Sequence, residues 1–267
     1  MLKRHTAALG SLALGLALSA CTTSPLGRSQ LALFGSDELD RQGQQAFAEY
    51  RQNHRQASGV RGEYVSCIAD AIIATLPAHQ GPQRWTVGVY EDDQPNAFAL
   101  PGGYVVVNTG LMRVAENQDQ MATVIGHEMA HVLANHANER ASTQSLTGTG
   151  LGVVNAVTGS DTLTQLIGAG AQYGLLLPYS RRQESEADLL GLDLMASAGF
   201  NPQASVALWQ NMTAAGGSAP PEWASTHPSS GGRTQGLQGR MDSALALYRE
   251  ARQQGQTPNC DRLRPGA

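Results

Sequence analysis

Residues 127–131 read His-Glu-Met-Ala-His, and this short motif constrains the fold more than any other part of the sequence. Asn117 as a cap, with Gln120 three residues later, and apolar residues at helical spacing predict one helix around the motif. Four residues along a helix correspond to about 40° of rotation and about 6 Å of rise, so His127 and His131 point the same way. Two imidazoles on one face can bind a single metal ion. The chain must then bury this helix against another element that supplies a third ligand.

Glu128 follows the first histidine and lies about 100° from it around the helix. A carboxylate there is close to a metal ion without being aimed at it, which suits a general base that takes a proton from an attacking water. The alternative is an ordinary amphipathic helix that happens to contain two histidines. A further ligand elsewhere in the chain would favour the metal site.

The predicted helix at residues 180–199 is the best source of that ligand. Ser180 and Gln183 form a capping box at its start. Further along, Glu184 and Asp188 share a face at a spacing of four residues. Glu184 would complete a site of two histidines and one glutamate, and Asp188 would hold the outer nitrogen of a ligand histidine. The alternative is a solvated acidic face balanced by the neighbouring arginines.

Glu186 is an acidic residue on the same helix that a motif search could confuse with Glu184. Two residues along a helix are about 200° apart, so both carboxylates cannot reach one ion. Glu186 also has no predicted partner of the kind that Glu184 has in Asp188. The sequence therefore predicts Glu184 as the ligand, and it predicts that a Glu186→Ala chain retains its metal.

The first 20 residues predict the compartment. Lys3 and Arg4 precede an apolar run too short to span a membrane as a mature helix, which is the layout of a secretory signal peptide. The run ends in Leu-Ser-Ala before Cys21, which resembles the lipobox of bacterial lipoproteins and implies cleavage there and acylation of Cys21. Thr22 follows, where aspartate would favour the inner membrane, so we expect an outer-membrane anchor in the periplasm. The alternative is a conventional signal peptide followed by an incidental cysteine.

The remaining chain divides into a lipidated tether at residues 21–36 and one domain at residues 37–267. Two helical segments open the domain. The segments RWTVGVYEDD, PNAFAL and GYVVVNT then follow, which are short, rich in β-forming residues and separated by turn signals. Beyond them the pattern returns to helix. The sequence thus predicts an α+β fold, mostly helical, with a small β-sheet next to the helix of the His-Glu motif.

The charge and the cysteine content of the chain limit the classes of partner and the compartment that are expected. The chain has 18 basic and 22 acidic residues, and it has no basic run, which argues against a nucleic-acid partner. Cys67 and Cys260 are the two cysteines besides Cys21. In an oxidising compartment such a pair often forms a disulfide, here tying an early helix to the C-terminal tail. The alternative is two separately buried thiols.

Three motifs, HEMAH, SRRQESEADLLGLDLMASAGFNP and STHPSSGGR, closely resemble those of the HtpX-type, CAAX-prenyl-protease and Oma-like group of gluzincin metallopeptidases. The nearest similarity is to the periplasmic BepA-like members, and NAFALPGGYVVVNTGLM resembles the strands before their zinc helix. The resemblance implies a zincin-like domain with one Zn²⁺ ion per chain. It also implies the following roles: His127, His131 and Glu184 as zinc ligands, Glu128 as catalytic base, and Asp188 as the support of a ligand.

Two further residues take their roles from the resemblance alone. His227, in Ser-Thr-His-Pro, matches a family position that lies over the metal, and Arg233 follows six residues later. His227 then either stabilises the oxyanion of the tetrahedral intermediate or occupies the open coordination position and keeps the enzyme latent. His136, five residues after His131, is predicted about 140° round the same helix and is therefore interpreted as a packed or capping residue.

A predicted edge strand beside the zinc helix offers a way to bind substrate. An edge strand accepts an extended peptide through main-chain hydrogen bonds, which read backbone rather than side chains. A strand with only a structural role is the alternative. The candidate substrate-binding residues are Asn96, Ala97, Phe98 and Ala99.

Residues 141–180 carry a single charge and are rich in glycine and small residues. This composition predicts a mobile helical hairpin that acts as a lid or faces a membrane or partner protein. A helical insert packed on the domain is the alternative.

Together these features predict a zinc-dependent endopeptidase of the bacterial envelope. The resemblance implies quality control of unfolded or misassembled envelope proteins, with the outer-membrane assembly machinery as a further candidate partner. A non-catalytic chaperone or assembly factor that uses the same groove to bind extended segments is the alternative. Glu128 argues against a loss of catalysis.

Overall fold

The computed structural model describes residues 21–77, 80–146, 180–215, 227 and 232–265. The predicted leader and most of the low-charge segment lie outside these residues. The chain begins with an antiparallel hairpin of β1 (Cys21–Thr23) and β2 (Ser29–Leu31). This hairpin packs on the domain, so the segment predicted as a tether is also part of the folded structure.

Two helices follow the hairpin, as predicted. Helix α1 (Ser36–Asn53) buries a single stripe at four-residue spacing, formed by Leu39, Gly43 and Phe47. The second helix, α2 (Val60–Ile73), is buried over a wider face. Its buried residues are Tyr64, Val65, Ile68, Ala69 and Ile72. These spacings bring one face of each helix onto the sheet and the core.

The three predicted strands form one small mixed sheet. They are β3 (Thr86–Tyr90), β4 (Ala97–Leu100) and β5 (Tyr104–Asn108), in the order β3-β5-β4. Strand β5 is parallel to β3 and antiparallel to β4. Gly102 and Gly103, both with positive φ, form the tight turn from β4 into β5. Strand β4 is therefore an edge strand within the described residues.

The rest of the described chain is helical. Helix α3 (Gln118–Leu133) carries the His-Glu motif, and helical residues 136–146 form α4. Helices α5 (Arg181–Ser197), α6 (Ala204–Ala215) and α7 (Arg233–Gln253) complete the domain. The fold is mostly helical α+β, which confirms the predicted class.

Both predicted helix caps are present. The Asn117 side chain accepts a hydrogen bond from the Gln120 N–H at the start of α3. Ser180 and Gln183 form the reciprocal capping box at the start of α5. Such caps satisfy backbone N–H groups that have no partner within the helix, so they fix where each metal-site helix begins.

One large apolar core joins α2, the sheet and helices α3, α5, α6 and α7. The structure joins Cys67 of α2 to Cys260, which lies beyond α7, in a disulfide. A cross-link over so long a loop constrains the unfolded chain and stabilises a fold by about 2–5 kcal/mol. Among the helices described, none combines the length and the apolar character needed to cross a membrane.

Candidate metal centre

Helix α3 is buried on every side through its central turns, including both histidines of the motif. The Nε2 atoms of His127 and His131 lie 3.0 Å apart. The one-turn spacing therefore aims both rings at one point, as the sequence predicts. Buried polar groups need partners, and the partners of these rings come from α5, α4 and His227.

A close helix crossing brings α5 to this point. A Cβ atom on Gly126 would lie 2.8 Å from the carbonyl oxygen of Gly191, and one on Gly191 would lie 2.7 Å from the backbone nitrogen of His127. Both distances are too short for a side chain, so only glycine permits this approach. The crossing lies beside the first histidine and sets how near Glu184 comes to the histidine pair.

Glu184 completes a compact donor set. Its Oε2 lies 3.4 Å from His127 Nε2, and its Oε1 lies 3.4 Å from His131 Nε2. Tetrahedral ligands about 2.0 Å from a zinc ion are roughly 3.3 Å from each other. The three donors are thus already spaced for such an ion. Two imidazoles and one carboxylate are also the donor types of a catalytic zinc site.

The outer nitrogen of His127 is held by a carboxylate, as predicted for Asp188. His127 Nδ1 lies 3.0 Å from Asp188 Oδ1. Arg233 holds the acids in turn, because its Nε donates to Asp188 at 2.6 Å and its Nη2 donates to Glu184 at 2.8 Å. The guanidinium lies over the ring of Trp209, 4.0 Å from its centroid. This stacking fixes the arginine and, through it, both carboxylates.

The outer nitrogen of His131 is held differently, by His136. Helix α3 ends at Leu133, and Asn135 adopts a positive φ of 55° before α4 begins. The chain therefore turns back, and His136 Nδ1 lies 2.9 Å from His131 Nδ1. His136 is buried, as predicted, but it does not lie 140° around α3.

Glu186 has partners that the sequence did not reveal. It is buried, and its Oε2 lies 3.1 Å from His136 Nε2. It also accepts hydrogen bonds from Ser24 and from Arg28 of the N-terminal hairpin. Burial alone would raise the pKa of Glu186, but the bonds from His136, Ser24 and Arg28 outweigh it and lower that pKa to about 2.

His227 lies within the donor cluster. Its Nδ1 is 3.2 Å from His127 Nε2 and 3.1 Å from Glu184 Oε1. Ligand atoms of His127, His131, Glu184 and His227 all lie within 4.8 Å of one another. This position puts His227 over the histidine pair, where both of the roles predicted for it, oxyanion contact and fourth ligand, would place it. The flanking residues of the Ser-Thr-His-Pro motif lie outside the described residues.

Glu128 lies beside the cluster rather than in it. Its carboxylate is fully buried, and neither oxygen has a close hydrogen-bond donor among the described residues. Burial raises the pKa of Glu128 to about 8, against the opposing charge of His127 and the backbone N–H of Ala99. A carboxylate in such an environment takes up a proton readily, as a general base must.

The ligand residues have strongly shifted pKa values. Burial would lower the pKa of His127, but bonds to Asp188 and Glu184 outweigh it and raise that pKa to about 9. Burial likewise opposes ionisation of Glu184, but the bonds from His127, His131 and His227 lower its pKa. Burial lowers the pKa of His131 and of His227. These shifts result from the close packing of His127, His131, Glu184 and His227 around one buried point.

The edge strand passes directly beside Glu128. The Asn108 N–H donates to the Asn96 carbonyl at 2.9 Å, so residue 96 faces β5. Alternation along an antiparallel strand then points the N–H groups of Ala97 and Ala99 away from β5. Ala97 is fully buried and Ala99 is partly exposed, so of these two predicted substrate-binding residues only Ala99 is open to a peptide. The Ala99 N–H faces the Glu128 carboxylate. An extended chain added to this edge would run past the general base.

Comparison with known proteins decides the family. The sequence model of Peptidase family M48 matches residues 60–241, which contain every residue of the donor cluster. The chain belongs to peptidase family M48. The helix pair α3 and α5 is thus the metal-binding core of an M48 domain.

Several curated proteins are similar to this M48 chain. The mitochondrial metalloendopeptidase OMA1 of Schizosaccharomyces pombe is 41% identical over 170 residues, which is 62% of this chain and 49% of that protein. The human OMA1 metalloendopeptidase is 35% identical over 61% of this chain and 34% of its own length. The β-barrel assembly-enhancing protease of Escherichia coli K12 is 32% identical over 62% of this chain and 36% of its own length. The M48 chain spans at most half the length of these relatives.

The structure brings together the residues that the motifs identified and adds others. Cys21 begins β1, and Cys67 and Cys260 form the disulfide. Sequence reasoning missed Gly191, whose close approach to α3 only a second helix reveals. It also missed Trp209, whose ring lies under the Arg233 guanidinium, because an indole is not a metal ligand and no motif marks it.

Proposed function

We propose that this M48 chain is a zinc-dependent endopeptidase of the bacterial cell envelope that cleaves unfolded or misassembled proteins. The observation that carries the proposal is the position of Glu128. It is a buried carboxylate between a two-histidine, one-glutamate donor set and the free edge of β4. A metal site, a base and a peptide-binding edge thus meet at one place.

His127, His131 and Glu184 would hold the zinc ion. Zinc, when bound, would polarise water and the scissile carbonyl as a Lewis acid. Glu128 would take the proton of the attacking water on a carboxylate oxygen and pass it to the leaving amine. Asp188 would keep the His127 ring in the tautomer that leaves Nε2 free for the metal.

His227 is the residue that must move for catalysis. With its Nδ1 on the cluster, the site has four protein donors, which is the closed arrangement of a structural zinc site. A catalytic site needs one open position. We infer that His227 in this position would keep a zinc-loaded site latent, and that substrate binding or another trigger would displace it.

Substrate selection follows from the edge strand. Main-chain hydrogen bonds to the outer edge of β4 at Ala99 would recognise any extended segment, whatever its sequence. Folded proteins keep their backbone groups paired, so they offer few such segments. Purified zinc-loaded protein should therefore cleave an unfolded protein and spare the same protein when folded. Tight binding of the unfolded protein without cleavage would instead indicate the chaperone alternative.

An Ala99→Pro substitution tests the edge. Proline removes an N–H that points away from β5, so the hydrogen bonds of the sheet remain. We expect cleavage of an unfolded protein to fall by up to about tenfold through KM, because one main-chain contact to the peptide is lost. The value of kcat should also change, because the same N–H lowers the pKa of Glu128. The zinc content should not change. Ala99→Val, which keeps the N–H, is the matched control, and equal activity of both variants would contradict strand addition.

The envelope location rests on the leader and on one group of relatives. The predicted signal peptide ends at Cys21, in the sequence context of a lipid attachment site. The relatives from Escherichia coli and Yersinia pestis are named β-barrel assembly-enhancing proteases. The OMA1 relatives are named as mitochondrial, and the lipobox-like leader favours the bacterial setting. We therefore place the chain at the outer membrane, with the assembly machinery of β-barrel proteins as a candidate partner.

A Cys21→Ser substitution tests the anchor. The described helices offer no alternative membrane span, so loss of acylation should release the protein from the membrane fraction into the soluble periplasm. Fractionation of cells that express each form would measure this. Cys67→Ser is the matched control for loss of a cysteine. If the Cys21 variant stays wholly with the membranes, another anchor exists.

A further inference from the structure

The N-terminal hairpin, here residues 21–34 with β1, β2 and the three residues after them, is bonded to both helices that surround His131. Arg28 Nη1 donates to Glu139 of α4 at 2.5 Å, and the Leu33 N–H donates to Ser142 at 2.8 Å. On α5, Arg28 Nε donates to Glu186 at 2.7 Å. The side chain of Arg28 is only 16% exposed. An arginine this buried, with two carboxylates, is a fixed part of the structure rather than a mobile surface group.

These contacts continue to a metal ligand. Glu186 Oε2 lies 3.1 Å from His136 Nε2, and His136 Nδ1 lies 2.9 Å from His131 Nδ1. His131 Nε2 faces the donor cluster on the other side of the same ring. An unbroken series of hydrogen-bonded side chains thus runs from Arg28 through Glu186 and His136 to His131. Glu186, His136 and His131 are all buried.

The tautomer of His131 determines which partner donates each hydrogen bond in this series. A histidine that gives the Nε2 lone pair to a cation must carry its proton on Nδ1. His131 then donates to His136 Nδ1, so His136 carries its own proton on Nε2 and donates it to Glu186. The ionised carboxylate of Glu186 accepts this bond together with those of Arg28 and Ser24. Removing any member takes away a partner that holds the His131 ring in this orientation and favours this tautomer before a cation binds.

We propose that Arg28, Glu186 and His136 are positioning residues of the metal centre, and that the N-terminal hairpin is thereby part of it. The two ligand histidines are supported in parallel ways. His127 is held by a carboxylate and an arginine from the C-terminal side, and His131 is held by a carboxylate and an arginine through one added imidazole. The proposal rests on the proposed zinc site, and it makes the arrangement of that site depend on a docked hairpin.

The test measures metal affinity in the mature full-length chain. Zinc affinity by chelator competition and the visible spectrum of the Co²⁺-loaded protein would be recorded for His136→Ala, Glu186→Ala and Arg28→Ala. Partners that orient a metal ligand contribute about 10–100-fold to affinity. We expect a loss of that size for the first two variants, a smaller loss of about threefold or more for Arg28→Ala, and a changed Co²⁺ spectrum in all three.

Two controls separate positioning from general stability. Arg113→Ala removes an exposed arginine that pairs with Asp93, so affinity and spectrum should match the original protein. The double variant His136→Ala/Glu186→Ala should bind zinc no more weakly than His136→Ala alone, because both residues act through one nitrogen of His131. If an alanine variant does not fold, as judged by circular dichroism, Glu186→Gln keeps the shape and should still weaken zinc binding.

Unchanged zinc affinity and Co²⁺ spectrum in folded variants would overturn the proposal, even if their melting temperatures fall, because the network would then be structural only. Additive losses in the double variant would also overturn it. If the unaltered protein binds neither zinc nor Co²⁺, the proposed function fails first and this inference fails with it. These outcomes are distinguishable, because only the last concerns the unaltered chain.

Discussion

Glu128→Gln is expected to abolish peptidase activity while the protein keeps one zinc ion per chain. The amide has nearly the shape of the carboxylate but cannot take a proton from water. A positioned general base contributes about 10²–10⁴-fold to a rate, so a loss at the upper end of that range or beyond is expected for the only such base next to the described cluster. Cleavage of an unfolded protein and metal analysis of the same preparation would measure both quantities.

The fold should tolerate this substitution. Neither Glu128 oxygen has a close donor among the described residues, so the amide breaks no close hydrogen bond in that part of the chain. Glu49→Gln, at an exposed site on α1, is the matched control and should keep full activity. Retained turnover in the Glu128 variant would rule out its role as base. Loss of zinc from that variant would show that the carboxylate supports the metal instead.

The metal-ligand residues could be predicted from the sequence, because the spacing of residues along a helix determines which side chains share a face. His127 and His131 are one turn apart, and so are Glu184 and Asp188, so each pair shares a face before any tertiary contact is known. Caps at Asn117 and Ser180 fixed the start of both helices. These are short-range effects, which a single sequence records directly.

The contact between His136 and His131 could not be predicted from the sequence, because it depends on a break in the helix. A continuous helix would carry His136 away from His131, and only the positive φ of Asn135 returns it. Asparagine tolerates this conformation but does not require it, so the sequence pattern gave no clear stop at Leu133. The backbone conformation of Asn135 therefore determines whether His136 lies at the surface or beside a metal ligand.

The environment of Glu186 could not be predicted from the sequence for a different reason. Its partners Ser24 and Arg28 are more than 150 residues away in the chain, within a segment whose composition resembles a linker. Helix geometry correctly separated Glu186 from Glu184 but could not show what lies on the opposite face. Long-range pairing of this kind is a property of the tertiary fold. Retention of metal by a Glu186→Ala chain stays a prediction, and the contacts of Glu186 add the expectation that its affinity is lower.

The roles of the two glutamates lead to the last prediction. Glu184→Ala is expected to weaken zinc binding by much more than about 100-fold, beyond the range of residues that only orient a ligand. It removes one of three donors and leaves Arg233 facing the histidines without the carboxylate that it bonds. The buried guanidinium would keep only Asp188 of its two carboxylate partners, so it would repel a second cation beside it more strongly. The purified variant should therefore contain little zinc and show no cleavage.

The matched control is Asp193→Ala on the same helix, which removes a carboxylate that pairs with Arg240 outside the cluster. It should keep full zinc occupancy. Glu186→Ala should fall between the two, with zinc bound at saturating metal but lost to a competing chelator. Chelator titration of the three variants orders them by affinity. If Glu184→Ala retains zinc more tightly than Glu186→Ala, the ligand on α5 is misassigned, because removal of a direct donor cannot cost less than removal of its neighbour's support.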